Sequence, residues 1–249
     1  MTPQHARDAF AGALRHPIRH RASALGPAPL DVAQMAKDRG ILTAGLVGRP
    51  EHVRHHLDRG TDILVATGAE AGGHCGEIGT MVLVPQIVAA AGALPVLAAG
   101  GITTGSQVVS SLALGAQGVW TGSVWLATHE SDVHPLVKEK LVAAKSTDAV
   151  RSRCLTGKPS RQLRTPWTDA WEAPGAPAPL PAPLQGVLTG GALIGAFEHG
   201  MKDLMGTPVG QGVGLIHAEE SVRDIIYRMF EEYAEASERI CKLYQQQLE

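Results

Sequence analysis

The chain has 249 residues, of which 44% are hydrophobic, 18% charged and only 4% aromatic. That much apolar material builds a core and excludes a disordered chain, while a net charge of −2, from 22 basic and 24 acidic residues, excludes nucleic acid as the natural partner. The three scattered cysteines, Cys75, Cys154 and Cys241, show neither a disulfide framework nor zinc spacing, so a reducing, cytoplasmic setting is expected.

Charges and prolines interrupt the first thirty residues. They predict no export signal and no regular element beyond a short helix around Ala6–Leu14, so 1–30 reads as an N-terminal segment open to disorder. Asp31 then caps a helix that runs to Arg39 and stops at Gly40. Ile41–Val47 reads as a strand, Glu51–Arg59 as a helix ended by Gly60, and Asp62–Thr67 as a second strand. A glycine-rich loop, Gly68–Gly79, leads to a helix over Val84–Ala91, a strand over Pro95–Ala99, a helix over Ser106–Leu114 and a strand over Gln117–Thr121. These strands are continuous apolar runs rather than alternating ones, the pattern of a parallel sheet covered by helices. Repeated strand–helix units make either a doubly wound sheet or a (β/α) barrel. The longest apolar stretch, Met81–Ala99, contains Pro85, Gln86, Gly92 and Pro95, which suits a helix plus a strand rather than a bilayer span.

Past Leu126 the character changes. Lys138–Ala144 continues helical, Arg151–Arg164 is basic and turn-rich, and Trp167 and Trp171 sit four apart. Residues 173–183 hold five prolines, a stiff connector rather than a domain. The stretch 186–214 holds nine glycines among helical fragments. From Glu219 onward one amphipathic helix is expected, its apolar stripe running through Val222, Ile226, Met229, Tyr233, Ala236, Ile240 and Leu243. The expected organisation is therefore an N-terminal segment 1–30, an α/β unit 31–150, a basic and Pro-rich connector 151–185 and a C-terminal helical region 186–249.

Three loops carry the chemical signals. Gly68–Glu77 follows the carboxyl end of a buried parallel strand, where ligands bind in barrels and open α/β sheets. Gly72 and Gly73 let backbone approach a flat ligand, and His74 offers a ring nitrogen that titrates near neutrality. The turns Ala99-Gly100-Gly101-Ile102 and Gly122-Ser123 end the next two strands; bared backbone N–H groups and a hydroxyl at such ends cradle phosphate. His52, His55 and His56 stand at helical offsets but lack a companion carboxylate or cysteine, so no metal site is expected. The Gly210-Gln211-Gly212 run does not complete a dinucleotide fingerprint. Cys75, adjacent to His74, points away from it on an extended loop and is not expected to be a nucleophile.

These stretches together, G-A-E-A-G-G-H-C-G-E-I-G-T-M-V-L-V-P, P-V-L-A-A-G-G-I-T-T-G and L-A-L-G-A-Q-G-V-W-T-G-S-V-W-L-A-T-H-E, resemble the nitronate monooxygenase family, formerly 2-nitropropane dioxygenases, from about Leu25 onward. The resemblance implies an FMN-binding TIM barrel with a smaller helical domain. It implies His74 as the catalytic residue, Gly73 against the flavin, and Ala99, Gly100, Gly101, Ile102, Gly122 and Ser123 around the FMN phosphate. It also implies oxidation of alkyl nitronates by O₂ to a carbonyl compound and nitrite. The four strands read here align with strands five to eight of that barrel, so the expected fold is a partial (β/α) barrel, lacking the N-terminal half, with a C-terminal helical domain. Such an arc leaves two edges open and is expected to pair with a second copy, recruit another chain or fold poorly. The alternatives are an enzyme like the flavin-dependent enoyl-acyl carrier protein reductases, which share the glycine-histidine signature, and an inactive remnant of the family.

Overall fold

The computed structural model describes residues 3–246. Its first half alternates helix and strand: α1 (Pro3–Ala13), β1 (His20–Ser23), α2 (Leu30–Lys37), β2 (Leu42–Val47), α3 (Val53–Leu57), β3 (Ile63–Thr67), α4 (Thr80–Ala91), β4 (Val96–Ala99), α5 (Gly105–Ala113) and β5 (Gly118–Trp120). The strands form one parallel sheet in the order β1-β2-β3-β4-β5. Each strand lies beside its predecessor, and the order never reverses.

The four strands expected from sequence are corrected to five. The added strand, β1, reads His-Arg-Ala-Ser and pairs with β2 in the register His20↔Leu42 to Ser23↔Gly45. It carries no apolar run because only every second residue is half-buried, so its place comes from pairing and not from composition. With α1 it gives regular elements to the described part, 3–30, of the expected N-terminal segment.

The two faces of the sheet are filled differently. Val47, Leu64, Ala66, Val96 and Ala98 pack with Val53 of α3 and with Leu83, Val84, Ile87 and Ala91 of α4. The opposite face is smaller, built on Ala44, Val65 and Ala99 with half-buried Leu46, Ile63 and Leu97. Alternate residues of strands that read as continuous apolar runs therefore serve separate clusters, as the two-residue period requires.

Several helix ends depend on contacts distant in sequence. The helix expected to begin at Val84 begins at Thr80, because the Glu70 carboxylate accepts from Thr80 N at 2.9 Å and from its hydroxyl at 2.8 Å. A carboxylate at a helix N-terminus satisfies a free amide and complements the dipole. Pro85 sits inside α4 on an exposed face. Asp31 does not cap α2; Pro29 holds the cap position, and Asp31 in the first turn pairs with Arg7. Thr104 and Gln107 close a capping box at α5.

The second half contains α6 (Pro135–Ala143), an antiparallel hairpin of β6 (Ala149–Ser152) and β7 (Ser160–Leu163), α7 (Pro166–Trp171), α8 (Leu184–Glu198) and α9 (Val222–Gln246). The basic stretch 151–164 thus holds most of the hairpin. A second core joins Ala127, Val137, Leu141 and Ala149 to Leu163, Met205, Val209, Val213 and Ile216. Trp167 and Trp171 pack with ring centroids 6.2 Å apart. Helix α9 lies on α5, where Glu232 Oε2 accepts from Gly105 N at 2.7 Å. Its buried residues are Ile225 and Ala236, while Ile226, Ile240 and Leu243 of the expected stripe stay exposed. Among the described residues no helix is long and apolar enough to cross a membrane.

Candidate active site

The loop after β3 is held from several sides. Gly68 N donates to Ala99 O at 2.9 Å, tying the loop to the end of β4. A Cβ on Gly68 would stand 2.6 Å from Thr80 N, and one on Gly72 2.8 Å from Gly210 N, so only glycine lets these backbones meet. Gln211 N donates to Glu70 O at 2.8 Å. The Gly210–Gly212 run, no dinucleotide loop, is therefore a backbone surface on which the His74 loop rests.

The hairpin crosses the same loop. Gly73 N donates to Arg161 O and Arg161 N to Gly73 O, both at 2.8 Å, an isolated antiparallel bridge with Gly73 at φ +76°. Arg161 also donates from Nε to Ala69 O at 2.9 Å and from Nη1 to Ala149 O at 2.6 Å. These bonds fix the backbone that leads into His74, and sequence reading missed them because Arg161 stands in the stretch taken as connector.

His74 lines a cleft of about 860 Å³ at the carboxyl ends of β1, β2 and β3, with Leu25, Arg49, Cys75, Arg151 and Lys158 among its walls. Its Nε2 lies 2.8 Å from Thr156 Oγ1. Burial pushes the His74 imidazole below the ordinary histidine range, and the Lys158 charge lowers it further. The cleft wall is cationic on balance: Arg49, Arg59, Arg151 and Lys158 against Asp58 and Glu77. Arg151 Nη2 donates to Cys75 O at 3.4 Å, and Cys75 Sγ contacts Ala69 O at 3.4 Å.

Ala99, Gly100, Gly101, Ile102, Gly122 and Ser123 all line a second, smaller cleft of about 270 Å³, together with Trp120 and Thr121. Leu46 and Thr67 line both clefts, so His74 and the two turns open onto one continuous rim of strand ends. Gly73 lines neither cleft; both its backbone polar groups are taken by Arg161.

The smaller cleft has the donors an anion needs. Among the described residues the amides of Gly101, Ile102, Gly122 and Ser123 meet no protein acceptor. Ser123 Oγ accepts from Gly210 N at 2.8 Å, which leaves its own proton to donate. Gly101 is at φ +72°, and Gln107 fixes its turn by donating to Gly101 O at 2.8 Å and accepting from Thr103 N at 2.8 Å. A Cβ on Gly122 would meet open space. Unpartnered amides and a hydroxyl lining one cleft fit a phosphate monoester. Gln107 was missed in the sequence because nothing distinguishes a glutamine in a helix's first turn until its partners are seen.

The three expected helix histidines separate: His56 is buried against β2, and His52 and His55 are exposed. Among the described residues no group of three or more His, Cys, Asp or Glu side chains is placed to hold a metal ion.

Known proteins resemble this chain over most of its length. The Rv1533 protein of Mycobacterium tuberculosis is 49% identical over 227 residues, covering 89% of this chain and 60% of that protein. A nitroalkane oxidase from Streptomyces ansochromogenes superposes with a TM-score of 0.82 at 30% identity, over 94% of this chain and 69% of that one. FabK from Thermotoga maritima superposes with a TM-score of 0.76 at 28% identity, over 98% of this chain and 85% of that one. The chain spans about 60% of the length of curated relatives that it matches. The nitronate monooxygenase family model covers residues 17–232, a span that takes in both strand-end turns, the His74 loop and the hairpin bridged to it, and this chain belongs to that family.

Proposed function

We propose that this chain binds FMN and serves the oxidation of alkyl nitronates by O₂ to a carbonyl compound and nitrite. The observation that carries the reading is the shared rim: two glycine turns with free amides at the ends of β4 and β5, and His74 one strand away. Gly101, Ile102, Gly122 and Ser123 would hold the phosphate, with Ala99 and Gly100 shaping the turn. When bound, FMN supplies the electron transfer between substrate and O₂. The protein's part is to bind, orient and move a proton. His74, kept neutral by burial, has a lone pair to take the α-proton of a neutral nitroalkane. The cationic wall of Arg49, Arg151 and Lys158 then favours the nitronate anion over its neutral parent.

We infer that the sheet is an arc of a (β/α) barrel with a helical region after it. An order that never reverses is the order of barrel strands, whereas a doubly wound sheet changes direction at a switch point. Edges at β1 and β5 then call for more wall, and a homodimer is one way to supply it.

The test is reconstitution. Purified protein mixed with FMN is expected to retain the flavin's visible absorption after desalting and to release nitrite from a nitronate. Protein that stays colourless and inactive overturns the reading in favour of a remnant. An enoyl reductase is the second reading, supported by the superposition on FabK; flavin-dependent reduction of an enoyl thioester without nitrite release would establish it. Size-exclusion chromatography tests the homodimer, which a strict monomer excludes.

A further inference from the structure

We propose that Thr156, in the loop joining β6 to β7, is a positioning residue: it holds His74 with the proton on Nε2 and leaves Nδ1 as the basic nitrogen facing the cleft. The inference rests on His74 being the proton acceptor proposed above, but its first test does not depend on turnover.

The two residues are 82 apart in sequence, and their contact of 2.8 Å is the shortest that Thr156 makes. The hydroxyl has one proton and two lone pairs to distribute. Its surroundings offer one pure acceptor, Lys158 O at 3.3 Å, and one pure donor, Lys158 N at 3.4 Å. Giving the proton to Lys158 O and accepting from Lys158 N leaves one lone pair, and that lone pair accepts from His74 Nε2–H. Every group is then satisfied. The reverse arrangement spends the hydroxyl proton on His74 and leaves Lys158 O without it. Among the described residues Nδ1 of His74 has no hydrogen-bond partner, so with Nε2 committed, the remaining lone pair is free for a substrate proton. A histidine's reactive nitrogen is set in this way by the bond the other nitrogen makes.

The loop that carries Thr156 is braced from behind. Gln185, fully buried, donates from Nε2 to Cys154 O at 2.9 Å and accepts from Leu180 N at 2.9 Å. Gly157 N donates to Arg153 O at 2.9 Å, and a Cβ on Gly157 would stand 2.1 Å from Leu180 O. The proline-rich run thus packs closely against the hairpin loop. Lys158 of the hairpin acts on the imidazole charge, and Arg151 of the hairpin, Arg49 from the loop after β2, Asp58 and Arg59 after α3, and Glu77 and Cys75 of its own loop line the same cleft. All of them stay in place when Thr156 is changed.

Nitrogen-15 NMR of the histidine rings, assigned with His74→Ala, tests the tautomer directly in the purified chain. The expected result is a protonated Nε2 and a bare Nδ1, kept in Thr156→Ser and replaced by a tautomer mixture in Thr156→Val. A wild-type ring protonated at Nδ1, or a Thr156→Val ring indistinguishable from wild type, overturns the proposal. In the flavin-loaded enzyme Thr156→Val is expected to lower kcat on a neutral nitroalkane about three- to tenfold, the factor one hydrogen bond is worth, with KM little changed and Thr156→Ser restoring the rate. Should Thr156→Val fail to fold, the wild-type tautomer and the serine variant still decide the matter. If the tautomer is as expected and His74→Ala keeps full turnover, His74 is not the proton acceptor and the positioning of the ring alone stands.

Discussion

At the scale of single residues, His74 is where the proposed chemistry concentrates. Its imidazole lies on a loop whose preceding residues, Ala69 and Gly73, are hydrogen-bonded to Arg161, and its protonation is disfavoured first by burial and then by Lys158. Replacing it with alanine removes a proton acceptor but none of the amides that line the smaller cleft. His74→Ala is therefore expected to bind FMN as wild type does and to lose about 10²–10⁴-fold in turnover of neutral nitroalkanes. Unchanged turnover would remove His74 from the mechanism. The sign of the pH dependence follows from the direction of its shift. Only the neutral ring accepts a proton, so the rate rises with pH through the His74 pKa. Since that value lies below the ordinary 6.5, the rising limb belongs below about pH 6.5, and a limb centred above it would contradict the burial argument.

At the scale of elements, the contact of α9 with α5 decides whether the C-terminal helix stays on the sheet unit. Gly105 opens α5, and a Cβ there would stand 2.0 Å from Met229 O and 2.3 Å from Tyr233 N. Both are backbone atoms of a helix and cannot swing aside. Gly105→Ala must therefore lift α9, straining the 2.7 Å bond from Gly105 N to Glu232. The expected cost is about 1–3 kcal/mol, read as a fall of several degrees in Tm; an unchanged Tm would mean that the two helices are not in contact in solution. Much of this level was legible in the sequence. β2 to β5 announced themselves as apolar runs between glycines, α5 by the glycines at its two ends and α9 by its periodicity. β1 and the β6–β7 hairpin did not, because strands of four residues that read His-Arg-Ala-Ser and Ser-Arg-Gln-Leu are fixed by pairing partners rather than by composition. The start of α4 was misplaced for a related reason: its cap, Glu70, is ten residues away, outside the window in which caps are sought.

At the scale of the whole molecule, the glycine turns and His74 could be picked out because strand ends are where ligands bind in parallel sheets. The residues that hold them could not, since Thr156, Arg161 and Gly210 reach the site only once the second half has folded across the first, and Gln107 shows its role only through its bonds to Gly101 and Thr103. Folding also buries histidines, and burial ties stability to pH. His56 is 1% exposed, packed so that a Cβ on Gly45 would stand 2.1 Å from its Nδ1. Its pKa is lowered by burial and then by His52 and His55, and that of His74 is lowered as well. Folded-state values below the unfolded 6.5 mean that the unfolded chain takes up protons first as pH falls. The stability these rings contribute is complete above about pH 6.5 and is lost as the pH drops from there through their folded values. Thermal unfolding is thus expected to show Tm falling between about pH 7 and about pH 5, with a shallower slope in His56→Asn, whose side chain does not titrate. An equal slope in the variant would mean that His56 is protonated as readily inside the folded protein as outside it, which burial under β2 forbids.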